Sequence, residues 1–203
     1  MLEVEGFILV GGASRRMGAD KAGLKLGGRS FVERVAEALG LITTNIRLVG
    51  ARDERFSLDF PIIRDVYSEW GALGGLHAAL AACRTPWAAV VACDLPFVTG
   101  ELFRRLASLR ENFDAVVPVQ MDGRPQPLCA LYRQETCAAR ASELIAAGER
   151  RPRRLLTEVE TRWVAQTELA DLHHSALFFT NVNTPEDFAQ ARERDKRARM
   201  NAE

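Results

Sequence analysis

The 203-residue sequence has no surplus of either charge: 27 Lys and Arg stand against 27 Asp and Glu. A protein that wraps nucleic-acid phosphates carries a basic excess, and an acidic disordered tail carries the reverse, so neither class is expected here. Long hydrophobic runs are missing too. The longest, Trp87 to Cys93, has seven residues, against the roughly 20 that span a bilayer, and no membrane helix is expected. The opening residues, Met1-Leu2-Glu3-Val4-Glu5-Gly6, are acidic where a signal peptide is basic, which predicts a cytoplasmic protein. Cysteines are few. The four, at 83, 93, 129 and 137, include no C-x-x-C pair and no histidine at ligand spacing, so they read as reduced core thiols. The three histidines, His77, His173 and His174, form no H-E-x-x-H and no evident Ser-His-Asp arrangement, which removes support from hydrolase chemistry.

What is present is the mix of an ordinary globular chain, 47% hydrophobic and 27% charged, enough to bury a sizeable core. Strand-length apolar segments alternate with segments of helical period, which predicts βαβ units around a mainly parallel sheet. Phe7 to Val10 reads as the first strand, followed by a loop to about Gly28. Ser30 with Glu33 has capping-box spacing ahead of the apolar face Phe31, Val32, Val35, Ala36 and Leu39, predicting a helix over 31–39. Ile46 to Val49 and Pro61 to Arg64 read as short strands. The glycines 71, 74 and 75 lead into a helix through Leu76, Ala79 and Leu80. Ala88 to Ala92 is apolar throughout, as a central parallel strand should be, and ends in Cys93-Asp94-Leu95-Pro96. Thr99 is a candidate N-cap for a helix to Leu109. Ala115 to Val119 and Leu128 to Tyr132 read as strands around an Asp122-Gly123 turn, Glu135 to Ala147 as a helix, and Phe178-Phe179 as a short strand. Thr184-Pro185-Glu186-Asp187 places an N-cap, a Pro at N1 and early acids before a final helix. One domain over 1–203 is expected, with no internal repeat and no low-complexity linker.

The most informative segment is Leu9-Val10-Gly11-Gly12-Ala13-Ser14-Arg15-Arg16-Met17-Gly18-Ala19-Asp20-Lys21. Glycines follow a strand and cations follow the glycines. Gly11, Gly12 and Gly18 let backbone amides curl around an anion, and Arg15 and Lys21 supply charge-assisted bonds to phosphate oxygens. Arg15, Arg16, Lys21 and Lys25 against Asp20 give residues 11–25 a local charge of +3. The segment is neither a Walker loop nor a G-x-G-x-x-G fingerprint, and Arg16 breaks the nucleophile-elbow pattern. Asp94 leaves an apolar strand at the carboxyl edge, where open α/β sheets bind ligands. A lone carboxylate there suits an octahedral Mg²⁺ that keeps waters and takes its other ligands from phosphates.

This segment resembles the signature loop of the molybdenum cofactor guanylyltransferase type of nucleotidyltransferases, with Val10 in place of the usual Ala. The resemblance continues through Arg64-Asp65, Gly71-Ala72-Leu73-Gly74-Gly75-Leu76, Cys93-Asp94-Leu95-Pro96 and Asn181-Val182-Asn183-Thr184-Pro185-Glu186-Asp187, nearly the whole chain. It implies a three-layer α/β/α, Rossmann-like nucleotidyltransferase fold with a mainly parallel, mixed central sheet. Residues about 6–110 would bind nucleotide, and about 111–190 would complete the sheet and the pterin-side pocket. The implied reaction moves GMP from GTP to molybdenum-bound molybdopterin and releases pyrophosphate.

The resemblance assigns catalysis to Arg15, Lys21 and Asp94, with Asp94 holding Mg²⁺. It assigns GTP contacts to Leu9, Val10, Gly11, Gly12, Ser14 and Gly18, joined by Lys21, Asp65 and Asp94. Asp65 has a physical rationale, since a carboxylate can accept two parallel hydrogen bonds from the guanine N1–H and N2 amino group, although a surface turn residue is the equal reading from sequence. On the pterin side the resemblance points to Arg124, Gln126, Asn181 and Asn183. Arg150-Arg151-Pro152-Arg153-Arg154 is a basic cluster that would hold the anionic acceptor or form a solvated face. Two departures bear on the base: Leu48-Val49-Gly50 lacks the Asn of some members, and Ala72 replaces a common Pro. They leave CTP-dependent cytidylyl transfer open, beside a catalytically silent module that delivers cofactor to molybdoenzymes or their chaperones.

Overall fold

The structure, a computed structural model, describes residues 3–10, 24–50, 60–64, 67 and 70–200. Next to the middle strand of its sheet lies β1 (Val4–Leu9), six residues all buried, as a strand covered on both faces must be. β1 pairs in parallel with β4 (Ile46–Val49) on one side and with β6 (Trp87–Ala92) on the other. β5 (Ile62–Ile63) extends the sheet beyond β4. Past β6 comes β8 (Cys129–Arg133), which runs antiparallel to both β6 and β7 (Ala115–Val119), and β9 (Thr161–Ala165) closes the edge parallel to β7. The order is thus β5-β4-β1-β6-β8-β7-β9. Among the described strands of this sheet only β8 is reversed, so the other six present their carboxyl ends to one edge.

Period-two alternation sorts the core onto two faces. Ile8, Leu48, Ala89, Val91, Val116 and Val164 pack under α1 (Phe31–Leu39) and α3 (Gly100–Ser108), through Val35, Leu39, Leu102 and Leu106. Phe7, Leu9, Val49, Ala88, Val90 and Tyr132 pack on the opposite face. There they meet α2 (Gly71–Ala82), α4 (Gln134–Ala146) and α5 (Pro152–Leu156), through Leu73, Leu76, Ala141, Ile145 and Leu155. Each fully buried aliphatic side chain contributes about 1.5–3 kcal/mol, so the three layers hold one another. A satellite cluster of Leu26, Phe31, Phe97, Val182 and Ala191 seats α6 (Pro185–Met200) beside α1.

The capping box at Ser30 forms as predicted, Glu33 N–H donating to Ser30 Oγ at 3.1 Å and Ser30 N–H to the Glu33 carboxylate at 2.5 Å. Thr184 likewise caps α6, accepting from Asp187 N–H at 3.1 Å. Four expectations need correction. Ala88–Ala92 is central but parallel on one side only, because β8 returns against it. Phe178-Phe179 is no strand: both rings follow a 3₁₀ turn at Ser175–Leu177 and plug the α1–α3 layer. The expected loop to Gly28 contains a two-stranded hairpin, β2 (Lys25–Leu26) and β3 (Arg29–Ser30). Gly27 at φ 57° and Gly28 at φ 88° supply the two left-handed positions its tight turn requires. Finally, Thr99 stands at the start of α3, but its side chain makes no capping hydrogen bond.

Candidate active site at the carboxyl edge of the sheet

The carboxyl ends of β1 and β6 lie side by side, Leu9 opposite Ala92. The ladder runs on past both strands: Cys93 N–H donates to the Leu9 carbonyl at 3.0 Å, and Val10 N–H to the Val49 carbonyl at 2.9 Å. These bonds fix the Leu9–Val10 backbone and the base of the turn that carries Asp94. That turn is short and closed, with Leu95 N–H donating to the Ala92 carbonyl at 3.3 Å and Val98 N–H to the Leu95 carbonyl at 3.4 Å. Asp94 is partly buried between buried Cys93 and Leu95.

The structure brings the Asn181–Asn183 segment to the same place. Val182 N–H donates to the Asp94 carbonyl at 3.0 Å, and the Val182 side chain is buried in the cluster that holds Phe97. With Val182 turned inward, Asn181 and Asn183 are both exposed. The segment is irregular and is held at several other points. Asn183 and Thr184 N–H donate to the Asp187 carboxylate at 2.9 Å each. Gln120 Nε2 reaches the Phe179 carbonyl at 3.5 Å, and Arg194 Nη1 reaches Thr180 Oγ1 at 3.3 Å.

Arg124 and Gln126 lie on the loop joining β7 to β8 at this edge. Gln120 N–H donates to the Arg124 carbonyl and Gln126 N–H to the Pro118 carbonyl, both at 2.9 Å. The Arg124 guanidinium closes on Asp122, Nε to Oδ2 at 2.6 Å. The Asp122 carboxylate is held below its ordinary pKa by that side-chain bond and by the Arg124 backbone amide. Arg124 is therefore at the expected edge but folded back on its own loop. The basic cluster also reaches the edge: Arg150 stacks over Trp70, the residue before α2, at 5.0 Å. Arg151 is committed to Glu149 at 2.9 Å, which lowers the Glu149 pKa to about 2, and Arg154 to Glu158 at 2.5 Å. Much of the cluster's charge is thus answered locally, on a solvated face.

Gly11, Gly12, Ser14, Arg15, Gly18, Lys21 and Asp65 lie outside the described residues, but the strands on either side place their attachments. β1 ends at Leu9 and is followed by Val10, and β5 runs into Arg64. Gly74 shows why a glycine-rich turn begins α2: a Cβ there would sit 2.3 Å from the Tyr67 carbonyl oxygen. The backbone at Tyr67 and the first turn of α2 therefore touch. Among the described residues no group of three His, Cys, Asp or Glu side chains could enclose a metal ion, and no helix is long and apolar enough to cross a membrane. The four cysteines are free and buried, with burial holding the Cys137 thiol up to about 12.

Fold and edge together define a nucleotidyltransferase of the three-layer α/β type. More narrowly, the description "MobA-like NTP transferase domain" matches residues 6–164, and the chain belongs to that family. A protein of Pelotomaculum thermopropionicum named "Probable molybdenum cofactor guanylyltransferase" is 34% identical over 95% of this chain and 93% of its own length. One of the same name from a Geobacillus strain is 30% identical over 93% of this chain and 97% of its own. Among solved structures, molybdopterin-guanine dinucleotide biosynthesis protein A of Archaeoglobus fulgidus superimposes with a TM-score of 0.80. It is 27% identical, over 95% of this chain and 99% of that one.

Proposed function

We propose that this chain is a molybdenum cofactor guanylyltransferase, moving GMP from GTP to molybdenum-bound molybdopterin and releasing pyrophosphate. The observation that carries the reading is the meeting of Asp94 with the Leu9–Val10 strand end on one side and the Asn181–Asn183 segment on the other. It supports a site with a nucleotide half built from residues about 6–110 and an acceptor half from about 111–190. The names of its relatives favour GTP over CTP.

The acceptor is a phosphate monoester, largely ionised near neutral pH, so the attacking oxygen needs no side-chain base. The protein's work is then to hold the two phosphates in line and to answer charge as it builds on the leaving pyrophosphate. Arg15 and Lys21 supply that charge, and Gly11, Gly12, Ser14 and Gly18 hold the triphosphate. Leu9 and Val10 line the nucleotide side, and Asp65 accepts from the guanine edge. Asn181 and Asn183 bind the pterin side, with Arg124 and Gln126 on the loop beyond.

A partly buried carboxylate at a strand end fits Mg²⁺, which keeps waters and binds mainly phosphate oxygens. Asp94 would hold it. When bound it neutralises charge on the phosphates. The setting is cytoplasmic, and the product passes to molybdoenzymes or their chaperones.

The test is transfer by purified Asp94→Ala and Lys21→Ala. Both are expected to lose nearly all turnover while melting as folded proteins, and GTP is expected to raise the wild-type melting temperature more than CTP does. Undiminished turnover in either folded variant would refute its assignment.

A further inference from the structure

The turn that carries Asp94 is held from below by a side chain distant in sequence. Arg34, on α1, donates from Nε to the Pro96 carbonyl at 2.9 Å, two residues past Asp94. Its Nη1 meets Asp195 Oδ1 on α6 at 2.7 Å and the Leu26 carbonyl of the β2–β3 hairpin at 3.4 Å. The guanidinium also lies 5.7 Å from the centre of the Phe97 ring. The pair is largely buried, Arg34 at 21% and Asp195 at 9% side-chain exposure. One planar cation thus ties together the Asp94 turn, the hairpin that follows the glycine-rich loop, and the C-terminal helix. α6 matters because the segment entering it, through Val182, is bonded to the Asp94 carbonyl.

We propose that Arg34 is a positioning residue for nucleotidyl transfer: with Asp195 it fixes the Asp94 turn against the acceptor-side segment. This rests on the reading of Asp94 given above. The geometry favours arginine in particular. Pro96 has no N–H, so its carbonyl is the only backbone hydrogen-bonding group it offers. A guanidinium fork can meet that carbonyl and a carboxylate in one plane, whereas an ammonium acts as a point charge. An error of about 1 Å in the placement of a reacting group can cost on the order of a hundredfold in rate, so the turn need move only slightly for the chemistry to register it.

The test compares wild type with Arg34→Met, Arg34→Lys, Asp195→Asn and Asp94→Ala in the transfer reaction, well below each melting temperature. Mn²⁺ affinity in the presence of GTP is measured alongside. Arg34→Met is expected to lower kcat at least about tenfold with KM for GTP changed less than about threefold, and to weaken Mn²⁺ binding. Asp195→Asn is expected to move both readouts the same way by less, and Arg34→Lys to recover part of the loss. If Arg34→Met does not fold, the Asp195→Asn and Arg34→Lys results decide. Wild-type kcat and Mn²⁺ affinity in folded Arg34 and Asp195 variants, with only the melting temperature lowered, would overturn the proposal. If Asp94→Ala itself keeps full turnover, the reading of the site has failed instead.

Discussion

Glu5 lies at the opposite, amino edge of the sheet and offers a stability test separate from the chemistry. It is 2% exposed, on the interior strand β1. Its carboxylate meets Arg47 Nη2 at 3.1 Å, Asn45 Nδ2 at 3.0 Å and the Arg84 backbone N–H at 3.2 Å. Glu5→Ala strands all three donors. Removing one member of a buried ion pair costs about 3–5 kcal/mol. The low end applies here, because Arg47 is 14% exposed and keeps the Ala82 carbonyl at 3.0 Å. A loss near 3 kcal/mol lowers the melting temperature by about 6–12 °C in a chain of this size. Glu5→Gln keeps an acceptor and should cost about 1–2 kcal/mol, and Glu5→Met with Arg47→Met should recover most of the loss. Thermal and urea unfolding measure this, with turnover per folded molecule expected to be unchanged. A melting temperature for Glu5→Ala within about 2 °C of wild type would refute the reasoning.

Two further perturbations are decided by local geometry. Gly74→Ala gains about 1 kcal/mol of helix propensity but drives a Cβ to 2.3 Å from the Tyr67 carbonyl oxygen. The overlap costs about 1–3 kcal/mol, so unfolding should show net destabilisation, and a more stable variant would contradict the close approach. His174 lies against His173 with ring centroids 3.8 Å apart and ring planes tilted by 57°, and burial, then that neighbour, lowers its pKa. The unfolded chain then binds the proton more readily, so this contribution to stability is present above about pH 6.5 and is lost as the pH falls below it. His174→Asn, which tolerates the left-handed φ of 61°, should flatten the stability–pH curve below that point; an unchanged curve would exclude His174 as its source.

Locally encoded features were readable in the sequence. Ser30 with Glu33 and Thr184 with Pro185 announce their helices because a cap and its partner lie within one turn. β6 announces itself by an unbroken apolar run, whereas β1 was read only from Phe7, because Glu5 and Gly6 interrupt its apolar pattern. Asp94 and Asn181–Asn183 were readable as separate motifs of the candidate site, but not their junction, since the Val182–Asp94 bond joins positions 88 residues apart. The Arg34–Asp195 pair spans 161 residues, and no periodicity reports such a contact. Glu5 read only as an acidic start, because a buried charge in a strand is visible only with its partners. Phe178-Phe179 misled because two aromatic residues do not fix a period. Gly27-Gly28 carried a hairpin signal that the neighbouring glycine-rich loop obscured.

The central claim is guanylyl transfer at the carboxyl edge of this sheet, and the most direct measurement is the transfer reaction itself. Purified chain, Mg²⁺ and molybdenum-bound molybdopterin are mixed with GTP or with CTP, and pyrophosphate and dinucleotide product are followed. The account predicts stoichiometric pyrophosphate and guanine dinucleotide from GTP, with CTP a poor donor. No product from GTP, or turnover with CTP equal to or faster than with GTP, would contradict it.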